Sequence, residues 1–143
     1  MILFADTSAL VKLYVQEAFS DVMRALAREA RMIAVSRIAW AEAMAALARR
    51  VREQPADAAS IETVRTRLRA DWPAYAVIEV TQPLVELAGD YADTFALRAY
   101  DSVQLASART LQDGSSEVFQ FACFDVRLQK AARVLGMRTL DKP

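Results

Sequence analysis

Residues 2–13, ILFADTSALVKL, pass from an apolar run of strand length into helical spacing at a single aspartate, Asp6. Ile2–Ala5 reads as a short, fully buried strand, and Thr7–Val15 carries the spacing of a helix. A strand that turns directly into a helix through one acidic residue begins a crossover unit. The rest of the chain keeps that alternation. Phe19–Arg31 is helical, with Val22, Met23, Leu26 and Ala30 on one side, and Met32–Val35 is a second run of strand length. Arg37–Glu53 is Ala-rich with Trp40, Met44 and Leu47 at helical intervals, Pro55 breaks it, and Ala56–Ala70 is a more polar helix bearing arginines.

Tyr75–Val80 follows Pro73 and is rich in β-formers, which predicts a third strand. Pro83 sits near the start of a helix running to about Leu97, where proline is tolerated in the first turn. Asp101–Leu111 is a further helix, closed by the Asp-Gly-Ser-Ser loop at 113–116. Val118–Phe124 is a fourth strand, Val126–Leu135 a helix stopped by Gly136, and Met137–Leu140 a short last strand. Strands separated by helices imply crossover connections and a parallel sheet covered on both faces. The expected fold is therefore one α/β domain over residues 1–143, three-layered α/β/α, with a mainly parallel sheet of four to five strands.

Composition narrows the chemistry. The 143 residues carry 18 basic and 18 acidic side chains, and 15 of the basic ones are Arg, the side chain suited to bidentate phosphate contact. A zero net charge leaves a nucleic-acid ligand open, because affinity depends on where the charges lie. The apolar fraction of 55% is largely Ala, with 28 alanines, so it does not signal a sticky surface. Cys123 is the sole cysteine, which excludes an intrachain disulfide and fits a reducing cytoplasm. The opening MILFADTSAL reads as neither a signal peptide nor a membrane span. The chain has no histidine, which removes Ser-His and Cys-His nucleophile pairs and His-containing zinc sites. An enzyme built from this composition must use carboxylates, Lys, Arg, Tyr or hydroxyls, and carboxylates holding a hard cation lead that set.

Four acids fall at positions that fit this chemistry. Asp6 and Asp125 each follow a strand and precede a helix, and Asp101 opens the helix Ser102–Leu111. In a parallel α/β sheet, ligands bind beyond the carboxyl ends of the strands, so these acids are expected along one rim. Glu42 lies in the otherwise apolar stretch Ile38–Ala48, where a carboxylate is costly unless paired or bound to a cation. Each acid also has a purely structural reading. Asp is a preferred N-cap, which would account for Asp6, Asp101 and Asp125, and Glu42 could pair with an arginine. A capping Asp can still keep one oxygen for a metal.

The segments ADTSALVKLY, AWAEAMAALAR, LRAYDSVQLASA and FACFDVRLQKAARVLGM resemble, in order, the PIN-domain family, most of all its VapC-type ribonuclease toxins of toxin–antitoxin modules. The resemblance runs from residue 2 to about residue 140. It implies a PIN-like fold and a metal-dependent endoribonuclease in which Asp6, Glu42 and Asp101 are the core metal-binding acids and Asp125 the fourth. Thr7 and Ser8 match the hydroxyl residues beside the first acid. Two positions depart from the pattern: Cys123 where Thr or Ser often stands, and Gln104 where His is frequent.

The resemblance further implies Mg²⁺ or Mn²⁺ as cofactor and RNA hydrolysis by metal-activated water. In that scheme Asp6 and Asp101 hold the main ion, Glu42 orients or deprotonates the water, and Asp125 completes a second, weaker site. RNA would be held by rim arginines, with Arg37, Arg98, Arg109 and Arg127 as candidates beside their ordinary role as surface or ion-pair residues. The implied partners are an antitoxin protein and a second copy of the chain in a homodimer, with no membrane and no direct DNA contact. The alternative is a catalytically inactive PIN-like module that binds RNA or protein. A haloacid-dehalogenase-type phosphatase needs an Asp two residues after the first, where Ser8 stands, and a receiver domain needs an acidic pair and a later Lys that are not visible.

Overall fold

A computed structural model describes residues 1–140 of the chain. Its elements, in chain order, are β1 (Ile2–Ala5), α1 (Thr7–Lys12), α2 (Ser20–Glu29), β2 (Met32–Ser36), α3 (Ala39–Glu53) and α4 (Ala58–Asp71). There follow β3 (Ala76–Ile78), α5 (Gln82–Phe95), α6 (Ala99–Asp113), β4 (Phe119–Ala122), α7 (Val126–Val134) and β5 (Arg138–Thr139). Short 3₁₀ turns at Pro55–Asp57 and Trp72–Ala74 flank α4, each with proline at its start, where the missing N–H is not needed.

The five strands form one sheet in the order β3-β2-β1-β4-β5, and every pairing is parallel. The expected α/β domain with a mainly parallel sheet is thus present with all five strands. Period-two alternation in β1 explains its central place. Leu3 and Ala5 point into one core with Leu10, Met23, Leu47 and Leu68, while Ile2 and Phe4 point into the other with Leu105, Phe121 and Leu128. Helices α1, α3 and α4 therefore cover one face, and α6 and α7 the other. A smaller cluster, Leu84, Ala88 and Ala106, seats α5 against α6. Rings of Phe4 and Phe121 stack at 5.6 Å across the β1–β4 pair.

Several sequence expectations shift at the edges. The first helix ends at Lys12 rather than Val15, and the third strand shrinks to Ala76–Ile78. The fourth strand stops at Ala122, so Asp125 follows a two-residue extension, Cys123 and Phe124, rather than the strand itself. Asp101 is not an N-cap: Arg98 occupies the cap position and Asp101 sits inside the first turn of α6, where a negative charge still faces the helix dipole favourably. No helix among the described residues is long and apolar enough to cross a membrane.

Strand order decides where the chemistry sits. From β1 the chain moves outward to β2 and β3, then returns to the other side of β1 as β4 and β5. The point where order reverses lies between β1 and β4, and the crevice beyond it is where open parallel sheets bind ligands. Asp6 leaves the end of β1 and Asp125 the loop after β4.

Candidate active site

Asp6 and Asp125 are both true N-caps. The Asp6 carboxylate accepts from Ala9 N–H at 2.9 Å, and that of Asp125 from Leu128 N–H at 2.9 Å. The capping reading and the ligand reading hold together, because each cap uses one oxygen. Asp6 Oδ1 takes both the Ala9 bond and the Ser8 hydroxyl at 2.7 Å, and Asp125 uses Oδ1 alone. Asp101 Oδ2 accepts from Arg98 Nε at 3.3 Å. Glu42 Oε1 accepts from Thr7 Oγ1 at 2.9 Å and Gln104 Nε2 at 2.8 Å. In all four acids the hydrogen bonds fall on one oxygen, and the other oxygen accepts none among the described residues.

Asp6 and Asp125 at the N-caps of α1 and α7, and Glu42 and Asp101 in the first turns of α3 and α6, line one cavity of about 350 Å³ together with Thr7, Ser8 and Gln104. All six residues singled out from the sequence, Asp6, Thr7, Ser8, Glu42, Asp101 and Asp125, are brought to it. Glu42 corrects its expectation in two ways. Its helix is buried on one side only, along Ala39, Ala43 and Leu47, so Glu42 is half-buried rather than sunk in an apolar helix. Its partners are a hydroxyl and an amide rather than an arginine.

Burial pushes the Asp6 carboxyl up from 3.8 to about 6; the bonds from Ser8 and Ala9 pull it down, and the charges of Asp101 and Glu42 push it up further. The site therefore favours a neutralising partner. Whether that partner can be a metal ion is a question of donor chemistry. The candidate donors are all oxygen, from four carboxylates with hydroxyls beside them, as small hard cations require. No three of these acids, nor any other acid or thiol group among the described residues, are drawn together as a preformed ligand set. By donor type, though not as a preassembled set, these oxygens suit a hard ion.

Cys123 is fully buried and its thiol is pushed up by burial and by the charges of Asp6, Asp125 and Asp101, which makes it inert as a nucleophile. Its Sγ lies 3.8 Å from the Asp125 carbonyl, and Asp125 is oriented by its helix cap rather than by this residue.

The four candidate arginines separate. Arg98 and Arg127 border an adjoining cavity of about 600 Å³ that also contains Asp101 and Asp125. Arg37 donates to Glu79, and Arg109 is held by Asp113 and the Leu135 carbonyl, away from the acids. Sequence reasoning missed a second groove of about 590 Å³ that shares Thr7, Ser8 and Glu42 and continues past Lys12, Glu17 and Arg50. There Glu17 bridges Lys12 at 3.0 Å and Arg50 at 3.2 Å. The one available signal was the spacing of Ser8 and Lys12, four residues apart and so on one helix face. It missed the role of Gln104 as well. That residue is only 2% exposed, yet its Oε1 has no hydrogen-bond partner among the described residues. A buried acceptor left unmatched costs about 1–3 kcal/mol.

The fold and site together define a parallel α/β domain with four carboxylates lining a cavity at its topological switch point. More particularly, the chain belongs to the PIN-domain family, whose model matches residues 3–134. It is 32% identical over 137 residues to ribonuclease VapC45 of Mycobacterium tuberculosis (strain CDC 1551 / Oshkosh), covering 96% of this chain and 93% of that protein. Ribonuclease VapC46 of Mycobacterium tuberculosis (strain H37Rv) is 30% identical over 138 residues, with 96% and 95% covered. Among solved structures, FitAcB from Neisseria gonorrhoeae shares the fold with a TM-score of 0.70 at 17% identity, covering 99% of this chain and 97% of that one. VapBC2 from Rickettsia felis, bound to a DNA fragment from its promoter, gives 0.65 at 13% identity with both chains covered at 100%.

Proposed function

We propose that this protein is a metal-dependent endoribonuclease that hydrolyses RNA phosphodiester bonds, and that it is the toxin of a toxin–antitoxin pair. The observation that carries the reading is the convergence of Asp6, Glu42, Asp101 and Asp125, each with one oxygen held and the other free, on one cavity at the switch point. The named ribonucleases VapC45 and VapC46, similar over 96% of the chain, support it.

These four carboxylates would hold a Mg²⁺ or Mn²⁺ ion, which would supply positive charge to acidify water and neutralise the phosphodiester. The chain's own residues do the rest. Asp6 and Asp101 form the main ligand pair and Asp125 a second, weaker position. Glu42, with Oε1 anchored, presents Oε2 to orient the attacking water and take its proton. Water adds to phosphorus as Glu42 takes its proton, the bond to the 3′ oxygen breaks, that oxygen takes a proton from solvent to leave as a hydroxyl, and Arg98 and Arg127 at the rim pair with flanking phosphates.

An antitoxin protein is the proposed partner, since proteins of this fold have been solved as toxin–antitoxin complexes, as in Klebsiella pneumoniae. A homodimer working in the cytoplasm, with operator DNA left to the antitoxin, completes the proposal. The second reading, an inactive module that binds RNA or protein, draws on the lack of a preformed ligand set among the described residues.

Thermal unfolding with and without millimolar Mn²⁺ or Mg²⁺, on the parent and on Asp6→Asn with Asp101→Asn, tests the proposal. An ion that binds only the folded state raises the melting temperature by mass action, by about 2.7 kcal/mol of stability at a hundred times Kd. The parent is expected to gain stability and cleave RNA, and the double variant to do neither. A parent that gains stability and cleaves no RNA is the binding module; one that gains nothing has no metal centre.

A further inference from the structure

Gln104 lies on α6, one turn beyond Asp101, with its amide turned toward the cavity. Its Nε2 donates to Glu42 Oε1 at 2.8 Å and to Thr7 Oγ1 at 3.1 Å, while Thr7 Oγ1 donates to the same Glu42 oxygen at 2.9 Å. Three helices, α1, α3 and α6, thus meet at one carboxylate oxygen. The amide has two possible orientations. Turning Oε1 toward Glu42 would set a carbonyl dipole against a carboxylate. Turning Nε2 there, as observed, satisfies the carboxylate and strands Oε1 in the interior without a donor among the described residues. The amide thus keeps its donor on the carboxylate at the cost of an unmatched acceptor in the interior, an arrangement that serves the Glu42 oxygen rather than Gln104 itself.

The other acids need less help. Asp6, Asp101 and Asp125 have two side-chain torsions and sit at or just inside helix starts, where a cap bond or a neighbouring arginine fixes them. Glu42 has a third torsion and reaches the cavity from the first turn of α3, so its free oxygen is aimed only if the other is pinned.

We infer that Gln104 is a positioning residue of the metal centre: through Thr7 and Glu42 Oε1 it locks the Glu42 carboxylate, leaving Oε2 free for the ion and water that the cavity would hold. The inference rests on the metal-dependent reading above. Residues that orient a ligand in this way change metal affinity by about tenfold or more when removed.

Gln104→Met, which keeps the shape and deletes the amide, is compared with the parent by thermal melting in EDTA and across a Mn²⁺ titration. Gln104→His, whose ring N–H can donate to the same oxygen, is the rescue. The Met variant loses the bonds to Glu42 and Thr7 and relieves the stranded acceptor, opposing effects of similar size, so it is expected to melt close to the parent in EDTA and to bind Mn²⁺ about tenfold more weakly. On RNA its kcat falls while KM holds. The His variant stays within about threefold of the parent in Mn²⁺ affinity, well inside the loss expected for a removed orienting group. A Met variant that melts lower in EDTA yet binds Mn²⁺ as tightly as the parent makes Gln104 a packing residue and overturns the inference. A His variant as weak as the Met variant does the same. A parent that gains nothing from Mn²⁺ overturns the metal-dependent reading first and this inference with it, so the two failures are told apart by the parent alone.

Discussion

The backbone N–H of Asp6 donates to the carbonyl of Ala122 at 3.1 Å, one rung beyond the last paired residues of β1 and β4, Ala5 and Ala122. The strand ladder itself thereby sets the first acid against the loop that carries Asp125. Functional groups built on a rigid sheet edge hold their spacing better than groups carried by free loops.

Asp6 makes the metal-free protein sensitive to pH. Its folded pKa of about 6 lies above the ordinary 3.8, so between those values the native state holds more protons than the unfolded chain. Stability without added metal therefore falls as pH rises from about 4 to about 6 and stays lower above that. Asp6→Asn keeps the cap acceptor and loses the charge, so it is expected to be more stable than the parent at pH 7 by about 2–3 kcal/mol, the gap closing toward pH 4. Denaturant unfolding in EDTA across this range reads it; parallel curves for the two proteins would refute the raised pKa.

Glu42→Gln separates stability from chemistry. The amide oxygen of the variant can still accept from Thr7 and Gln104, so the melting temperature in EDTA is expected to stay close to that of the parent. Cleavage falls by about a hundredfold or more if Glu42 takes the proton. A variant that folds normally and cuts RNA at the parent rate assigns the proton transfer elsewhere.

Arg98 is 83% exposed at its side chain, and its bond to Asp101 adds little to folding. Arg98→Ala is expected to leave the melting temperature unchanged. It should also weaken binding of single-stranded RNA and reduce the slope of log K against log salt by about 0.7, the value for one phosphate contact. Fluorescence anisotropy at several salt concentrations measures this, and an unaltered slope would remove Arg98 from the RNA path.

Ala96 ends α5 in the left-handed conformation, φ 54°, and lets Leu97 N–H reach back to the Ala92 carbonyl at 3.2 Å. An L side chain is strained there and glycine is not. Ala96→Gly is expected to stabilise the protein by about 1 kcal/mol, or roughly 2–4 °C for a chain of this size. Calorimetry showing a lower melting temperature would mean the Cβ makes contacts that outweigh the strain.

Local pattern sufficed for most of the architecture. Apolar runs such as Ile2–Ala5 and Met32–Val35, alternating with helical spacing, were enough to read a parallel sheet with helices on both faces, because strand and helix periods are properties of neighbouring residues. The same reading picked out Asp6, Glu42, Asp101 and Asp125, since acids at strand ends, at a helix start or in apolar stretches are conspicuous without any three-dimensional information. Tertiary structure alone decided the strand order that sets β1 beside β4. It alone set Glu42 half in solvent, and it alone brought Gln104 to Glu42 and Thr7 across 62 and 97 residues of chain. Hydrogen bonds at that separation depend on how helices pack over a sheet, and no periodicity along the chain encodes which side chain will meet which.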